Sequence, residues 1–90
     1  MSPGTVFVKC KVLPGLFDTE FYILINSSSA YVNQANVKFE GTVKQGAEID
    51  GKVFAYVIQQ TKDHSLIELS GEPIVGGLRT WVANTQIDAA

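Results

Sequence analysis

Several residue types that carry chemistry in small proteins are scarce in this chain of 90 residues. It has one cysteine, Cys10, and one histidine, His64. A single cysteine excludes an intramolecular disulfide framework. A zinc site needs several converging His, Cys or carboxylate ligands, and the spacing of a calcium-binding loop is also missing. We therefore expect neither a metal nor another cofactor.

Clusters of positive charge and long apolar runs are also missing. The seven Lys and Arg residues are scattered among nine Asp and Glu residues, and the net charge is -2. Nucleic-acid binding draws its affinity from clustered Lys and Arg, so a nucleic-acid partner is not favoured. The first residues lack the basic and apolar segments of a signal peptide, and no run approaches the roughly 18 apolar residues of a membrane span. These absences predict a cytoplasmic protein without a membrane partner.

Period-two alternation of apolar and polar residues is the main pattern that the sequence contains. It runs through residues 5–13, where Val6, Val8, Cys10 and Val12 fall on one face. Such alternation predicts a strand with one buried side. Similar runs predict further strands at residues 20–26, 30–33, 36–44, 52–60 and 65–70, and a last strand or strand plus turn at 78–87. The sequence thus predicts one all-β domain over residues 1–90.

Two kinds of connection are expected between these strands. The glycine-bounded stretch 71–77 is predicted to be a loop, and Gly41 to be a bulge or bend. No stretch has the periodicity of a long helix. A single helical turn at 33–36 or 83–86 is the most that the pattern allows.

Two stretches of the sequence resemble each other. "AYVNQANV" begins at Ala30 and "TWVANTQI" at Thr80, and each runs from an aromatic residue and Val through polar residues to an aliphatic one. Weaker matches between earlier strands suggest an internal repeat with halves at about 4–44 and 51–87. Chance similarity between alternating sequences is the alternative. Because two or three strands cannot bury their own face, two such units are expected to form a small barrel or a two-sheet sandwich.

The segment "RTWVANTQI" at 79–87 resembles the end of an SH3-like barrel, where an aromatic residue, Val or Ile, and a short helical turn precede the last strand. Trp81, Val82 and Ile87 stand in the matching places. The resemblance implies a small SH3-like barrel. Ala83 and Gln86 stand where SH3 domains that bind proline-rich peptides have Pro and Tyr, so the implied likeness is architectural and does not include polyproline binding.

No residue is predicted to be catalytic. Cys10 lies on the apolar face of its strand, where a thiol behaves as a small hydrophobic group. His64 lies in a predicted polar turn with no nucleophile placed beside it. We therefore expect a non-enzymatic protein.

The nine aromatic residues are the strongest functional signal in the sequence. Residues 52–60 carry large apolar side chains on both faces, and such a strand either lies between two layers or exposes one face to a partner. Because Tyr and Trp are frequent interface anchors, the predicted binding residues are Tyr31, Phe54, Tyr56 and Trp81. The sequence favours a protein-binding or assembly module whose partner is another protein or a second copy of itself.

Two alternatives belong to other classes. One is a small oligomeric enzyme with its active site at a symmetry axis, using polar side chains such as Gln59, Gln60, Asn84 and Tyr56. The other is a single-stranded nucleic-acid binder that stacks bases on aromatic side chains. The acidic second half of the chain disfavours the latter.

Overall fold

The computed structural model describes residues 4–69, 71–75 and 79–89, and for residues 71–75 it describes the backbone alone. Within these residues the chain forms nine antiparallel strands. The strands are β1 (Thr5–Pro14), β2 (Glu20–Ile25), β3 (Ser28–Asn33), β4 (Val37–Phe39), β5 (Ile49–Gln60), β6 (His64–Leu69), β7 (Gly71–Val75), β8 (Arg79–Ala83) and β9 (Ile87–Ala89). Two 3₁₀ turns, Gln34–Asn36 and Asn84–Gln86, precede β4 and β9. The predicted all-β class is confirmed. No helix in the described part of the chain has the length and apolar character needed to cross a membrane.

The order of the strands explains how the sheet curves back on itself. It is β7-β3-β2-β1-β5-β6-β8, with β4 also paired to β5 and β9 to β1. β6 and β7 follow each other with one residue between them, yet β6 pairs with β5 and β8 while β7 pairs with β3. This change of partner brings the two sides of the sheet together, and the sheet nearly closes into a barrel.

Aliphatic residues at alternate positions of the strands fill the core. Val8 and Val53 lie opposite each other on the central pair β1 and β5, and both are fully buried. Ile23 of β2 and Ile67 of β6 are also fully buried. Branched side chains pack well on a pleated surface, which suits them to this role. The same alternation turns many of the aromatic side chains outward, whereas Phe21 and Phe39 pack against the core.

Gly51 marks a close approach of three strands. It lies on β5 opposite Cys10 of β1 and Phe39 of β4. A Cβ atom at this position would lie 2.6 Å from Cγ2 of Val12 and 2.9 Å from the carbonyl oxygen of Lys38, closer than such atoms pack. Glycine is therefore required for β4 to lie against β5.

Two local predictions are wrong. Residues 71–75 of the predicted loop form β7, while 76 and 77 lie outside the described residues. Pro73 obscured this strand, although proline is tolerated at the edge of a sheet. The strand predicted at 36–44 extends only over Val37–Phe39, because the chain then bends through Gly41, whose φ is 91°.

Candidate functional site

Large apolar side chains cover the outward surface of β1, β5, β6 and β8, and this surface is the candidate functional site. Phe54, Tyr56 and Ile58 point outward because the residues between them on β5 face the core. Tyr56 is 45% exposed, Ile58 38% and Trp81 44%, which is high for large apolar groups. We call this surface the aromatic face, and its members are Phe7, Phe54, Tyr56, Ile58, Leu66 and Trp81.

Cross-strand register makes the aromatic face continuous. Phe7 lies opposite Phe54 with ring centroids 5.9 Å apart, and Phe54 contacts Tyr56 at 5.3 Å. Both pairs are edge-to-face, an arrangement that aromatic rings favour. Leu66 lies opposite Trp81 and one diagonal step from Tyr56. A single apolar surface therefore crosses four strands.

The structure brings together three of the four residues predicted to bind a partner. Phe54, Tyr56 and Trp81 belong to the aromatic face, whereas Tyr31 lies on β3 in the other half of the chain. Tyr31 is half-buried opposite Tyr22, with ring centroids 5.5 Å apart. It belongs to a separate outward row. The binding role of all four residues stays a prediction.

Three lysines that are far apart in the sequence lie side by side next to the aromatic face. Lys9 of β1 lies opposite Lys52 of β5, and Lys52 lies opposite Lys38 of β4. We call Lys9, Lys52 and Lys38 the lysine row. The amine of Lys38 is 4.4 Å from the ring centroid of Phe7, a cation–π contact. Like charges directly opposite each other destabilise a sheet, and here the ion pair of Lys52 with Asp88 and the contact of Lys38 with Phe7 offset part of the repulsion.

The surface that carries the aromatic face and the lysine row has charges of both signs. Three acidic residues on it are paired: Asp50 with Lys11, Asp88 with Lys52, and Glu68 with Arg79. Neither Lys9 nor Lys38 forms an ion pair with a carboxylate of the described side chains. Five basic residues lie on this surface, and Glu40 adds a fourth carboxylate beside the lysine row. The basic residues are Lys9, Lys11, Lys38, Lys52 and Arg79.

Two of these ion pairs alter the pKa values of their members. A hydrogen bond from the amine of Lys52 lowers the pKa of Asp88, and the charge of the lysine adds to the effect. A hydrogen bond to Asp50 raises the pKa of Lys11. Lys11 and Asp88 are therefore charged near neutral pH.

A groove of 860 Å³ borders the lysine row. Its lining includes the three lysines together with the acidic residues Glu40 and Asp50 and the apolar side chains of Phe39 and Ile49. Small-molecule sites are usually apolar pockets with few polar groups. This groove instead mixes charges of both signs, which suits a protein surface better than a simple anion.

Asn84, one of the polar residues considered for an enzyme site, has hydrogen-bond partners within its own chain. The amide nitrogen of Asn84 donates to the carbonyl oxygens of Thr61 at 3.1 Å and Lys62 at 3.0 Å. Its side-chain oxygen accepts a hydrogen bond of 2.6 Å from the hydroxyl of Ser65. Asn84 thus fastens the second 3₁₀ turn to the β5–β6 hairpin. Among the described residues, no three His, Cys, Asp or Glu side chains are grouped so as to hold a metal.

Cys10 lies in the core beneath this surface. Its side chain is 8% exposed, and burial raises the pKa of its thiol to about 12, with a smaller contribution from the charge of Asp50. Because the thiolate is the reactive form, Cys10 is expected to be unreactive.

We expect Cys10 to resist alkylation in the folded protein. With iodoacetamide at pH 8, the native protein is expected to react at least roughly 100-fold more slowly than the protein unfolded in urea, since each unit of pKa changes the thiolate fraction about tenfold. Mass spectrometry of quenched samples measures both rates. Similar rates in the two states would contradict the buried position of the thiol.

The raised pKa of Cys10 also predicts how stability changes with pH. The unfolded thiol ionises from about pH 9 while the folded one does not, so this contribution to stability is complete below pH 9 and is lost towards pH 12. The slope approaches about 1.4 kcal/mol per pH unit. Urea titrations at several pH values measure the free energy of unfolding of the wild type and of Cys10→Ala. The dependence of this free energy on pH is expected to be flatter in the variant.

The chain matches no protein-family model, no curated protein and no solved structure. Its function is therefore inferred from the chemistry of its own surface.

Proposed function

We propose that this protein is a non-enzymatic protein-binding or assembly module whose interface is the aromatic face. The observation that carries the proposal is the exposure of Tyr56, Ile58 and Trp81 on one continuous surface. Contiguous exposed apolar groups mark interaction sites in soluble proteins, and Tyr and Trp are frequent anchors of interfaces.

The distribution of polar groups supports the same proposal. Interfaces have an apolar centre and a polar rim. Here the lysine row lies at one side of the aromatic face, and the Glu68–Arg79 ion pair, 2.9 Å long, lies beside Tyr56 and Trp81. The core is filled by aliphatic residues, so folding does not require aromatic side chains at these outward positions.

We also propose that the barrel is of the SH3-like type and that its two halves are copies of one unit. The backbone N–H of Gln34 donates a hydrogen bond to the carbonyl oxygen of Thr19, and the backbone N–H of Asn84 donates one to the backbone carbonyl oxygen of Asp63. Both bonds are 2.8 Å long. Each bond begins a 3₁₀ turn that leads to a short strand on the long strand of the other half. The strand pairings favour aligning Val8 with Val53, because Val8 lies opposite Ile87 of β9 and Val53 lies opposite Val37 of β4.

Repetition of the unit accounts for a second outward row of similar chemistry. On the aromatic face Leu66 lies opposite Trp81, and Ile58 lies at the bulge of the neighbouring strand β5. The equivalent row in the first half is formed by Leu13, Tyr22 and Tyr31. On this proposal, the two similar stretches of sequence are two copies of one surface row.

Single-stranded nucleic acid is the second candidate partner, favoured by the position of the lysine row beside aromatic rings. The carboxylates of Asp50, Glu68 and Asp88 lie on the same surface and would repel a continuous phosphate backbone. Fluorescence anisotropy with labelled oligothymidylate tests it. This candidate would be favoured if binding weakens with added salt and is lost in the double variant Lys9→Glu, Lys38→Glu.

Photocrosslinking in the cells that make the protein tests the main proposal. The photoreactive residue p-benzoylphenylalanine replaces Ile58 on the aromatic face, or Thr42 in the exposed connection between β4 and β5 as a matched control. Irradiation is expected to yield protein adducts from position 58 that are lost when Trp81→Ser is added, and none from position 42. Absence of adducts from position 58 would contradict the proposal.

A further inference from the structure

Among the side chains that the structure describes, the most exposed large apolar ones lie away from the aromatic face. Leu16 is 71% exposed and Phe17 is 70% exposed, in the turn between β1 and β2. We call these two residues the apolar tip. Asp18, which is also exposed, follows directly. The tip thus combines two hydrophobic side chains with a carboxylate.

The backbone holds the apolar tip in a tight turn. The N–H of Glu20 donates to the carbonyl oxygen of Phe17 at 3.2 Å. A Cβ atom at Gly15 would lie 2.6 Å from the carbonyl oxygen of Glu20, so the two ends of the turn are in close contact. A preorganised turn loses little conformational entropy when it binds.

The apolar tip and the aromatic face lie at opposite ends of β1. Thr5 at the start of β1 lies opposite Tyr56, and Pro14 at its end adjoins the tip. Nine residue steps of about 3.3 Å separate the two ends by about 30 Å. The tip therefore cannot contact the aromatic face of its own chain.

We infer that the apolar tip of one copy of this protein binds the aromatic face of a second copy. The tip supplies Leu16 and Phe17 for the exposed Tyr56 and Trp81. Asp18 supplies a carboxylate for Lys38, whose amine already lies over Phe7 at the border of the face. This inference rests on the proposed function and names the partner of that interface.

The contact predicted in this way joins two different surfaces. Such heterologous contacts lead to rings or open chains, and a ring forms only if the rotation closes. The tip is smaller than the roughly 800 Å² per partner of a typical stable interface, so association is expected to be reversible and visible at high concentration. Added salt is expected to weaken it, because the Asp18–Lys38 attraction is screened.

Light scattering on two complementary variants tests the inference. The tip variant is Leu16→Ser with Phe17→Ser, and the face variant is Tyr56→Ser with Trp81→Ser; circular dichroism first verifies that both are folded. The mass of the wild type is expected to rise with concentration, whereas each variant alone stays monomeric. An equimolar mixture is expected to form a dimer that grows no further, because only one tip and one face remain intact.

A charge exchange provides the matched control. Asp18→Lys is expected to weaken self-association at least tenfold, and mixing it with Lys38→Glu is expected to restore part of the loss. A wild type that stays monomeric at all concentrations would overturn the inference. The inference would also be overturned if the wild type associates but the mixture of tip and face variants forms no dimer. That result would indicate contact between like surfaces.

The two proposals fail in distinguishable ways. A monomeric wild type that is crosslinked from position 58 to another protein overturns self-association and leaves the binding function in place. A monomeric wild type without crosslinks from that position contradicts both. Crosslinks from position 58 to Leu16 or Phe17 of a second chain would support both.

Discussion

Replacing Ile67 with alanine is expected to lower the free energy of unfolding by about 2–5 kcal/mol. Ile67 is fully buried at the centre of β6, between the inward residues of β5 and β8. The loss combines the transfer free energy of the removed methyl groups with the cavity that they leave. A domain of this size has a total stability of only about 5–13 kcal/mol, so the variant is expected to be close to unfolding at 37 °C.

Ile58→Ala is the matched control for this prediction. It removes the same atoms from β5, but from a side chain that is 38% exposed on the aromatic face. The expected loss is below about 1 kcal/mol, since surface substitutions usually have small effects. Urea denaturation followed by circular dichroism measures both variants. Equal losses would contradict the assignment of Ile67 to the core and Ile58 to the surface.

Replacing Asn84 with alanine is expected to lower the free energy of unfolding by about 2–3 kcal/mol. The change removes three hydrogen bonds that join the second 3₁₀ turn to the β5–β6 hairpin. It also leaves the fully buried hydroxyl of Ser65 without its partner, and an unsatisfied buried polar group costs about 1–3 kcal/mol. Thr85→Ala, at the exposed neighbouring position, is expected to change stability little.

A double-mutant cycle separates the two parts of this loss. Adding Ser65→Ala to Asn84→Ala removes the orphaned hydroxyl, so the double variant is expected to be less destabilised than the sum of the single variants. Hydrogen exchange provides a second readout. Amides of β8 are expected to exchange faster in Asn84→Ala, because the turn that follows this strand is no longer held. Strict additivity would show that the hydroxyl and the amide are not coupled.

The strands were largely predictable because the signal for them is local. Alternation placed β1, β2, β5 and β6 nearly where they lie, since one face of each strand must be buried. The pattern allowed a single helical turn at 33–36 or 83–86, and the structure has a 3₁₀ turn at both places. β7 was missed because Pro73 is unusual inside a strand, and its acceptability depends on an edge position that only the tertiary structure reveals.

The candidate site was only partly predictable because it depends on strand register. The alternation in β5 predicts that Phe54 and Tyr56 share one face, whereas the prediction for Trp81 depends on its residue type alone. Which strand lies beside which is not visible in a single sequence, so Tyr31 was grouped with residues from which the fold separates it. The lysine row was missed for the same reason, because Lys9, Lys38 and Lys52 meet only through pairings across the sheet.

The emission of Trp81 tests most directly whether the aromatic face is buried by a second copy of the protein. Trp81 is the only tryptophan in the chain and is 44% exposed, so its fluorescence reports on this surface alone. The emission maximum is expected to shift to shorter wavelength as the protein concentration rises, and the shift is expected to have the same midpoint as the increase in mass. In the Leu16→Ser, Phe17→Ser variant the maximum is expected to stay unshifted. A mass increase without a shift, or a maximum independent of concentration, would contradict the account.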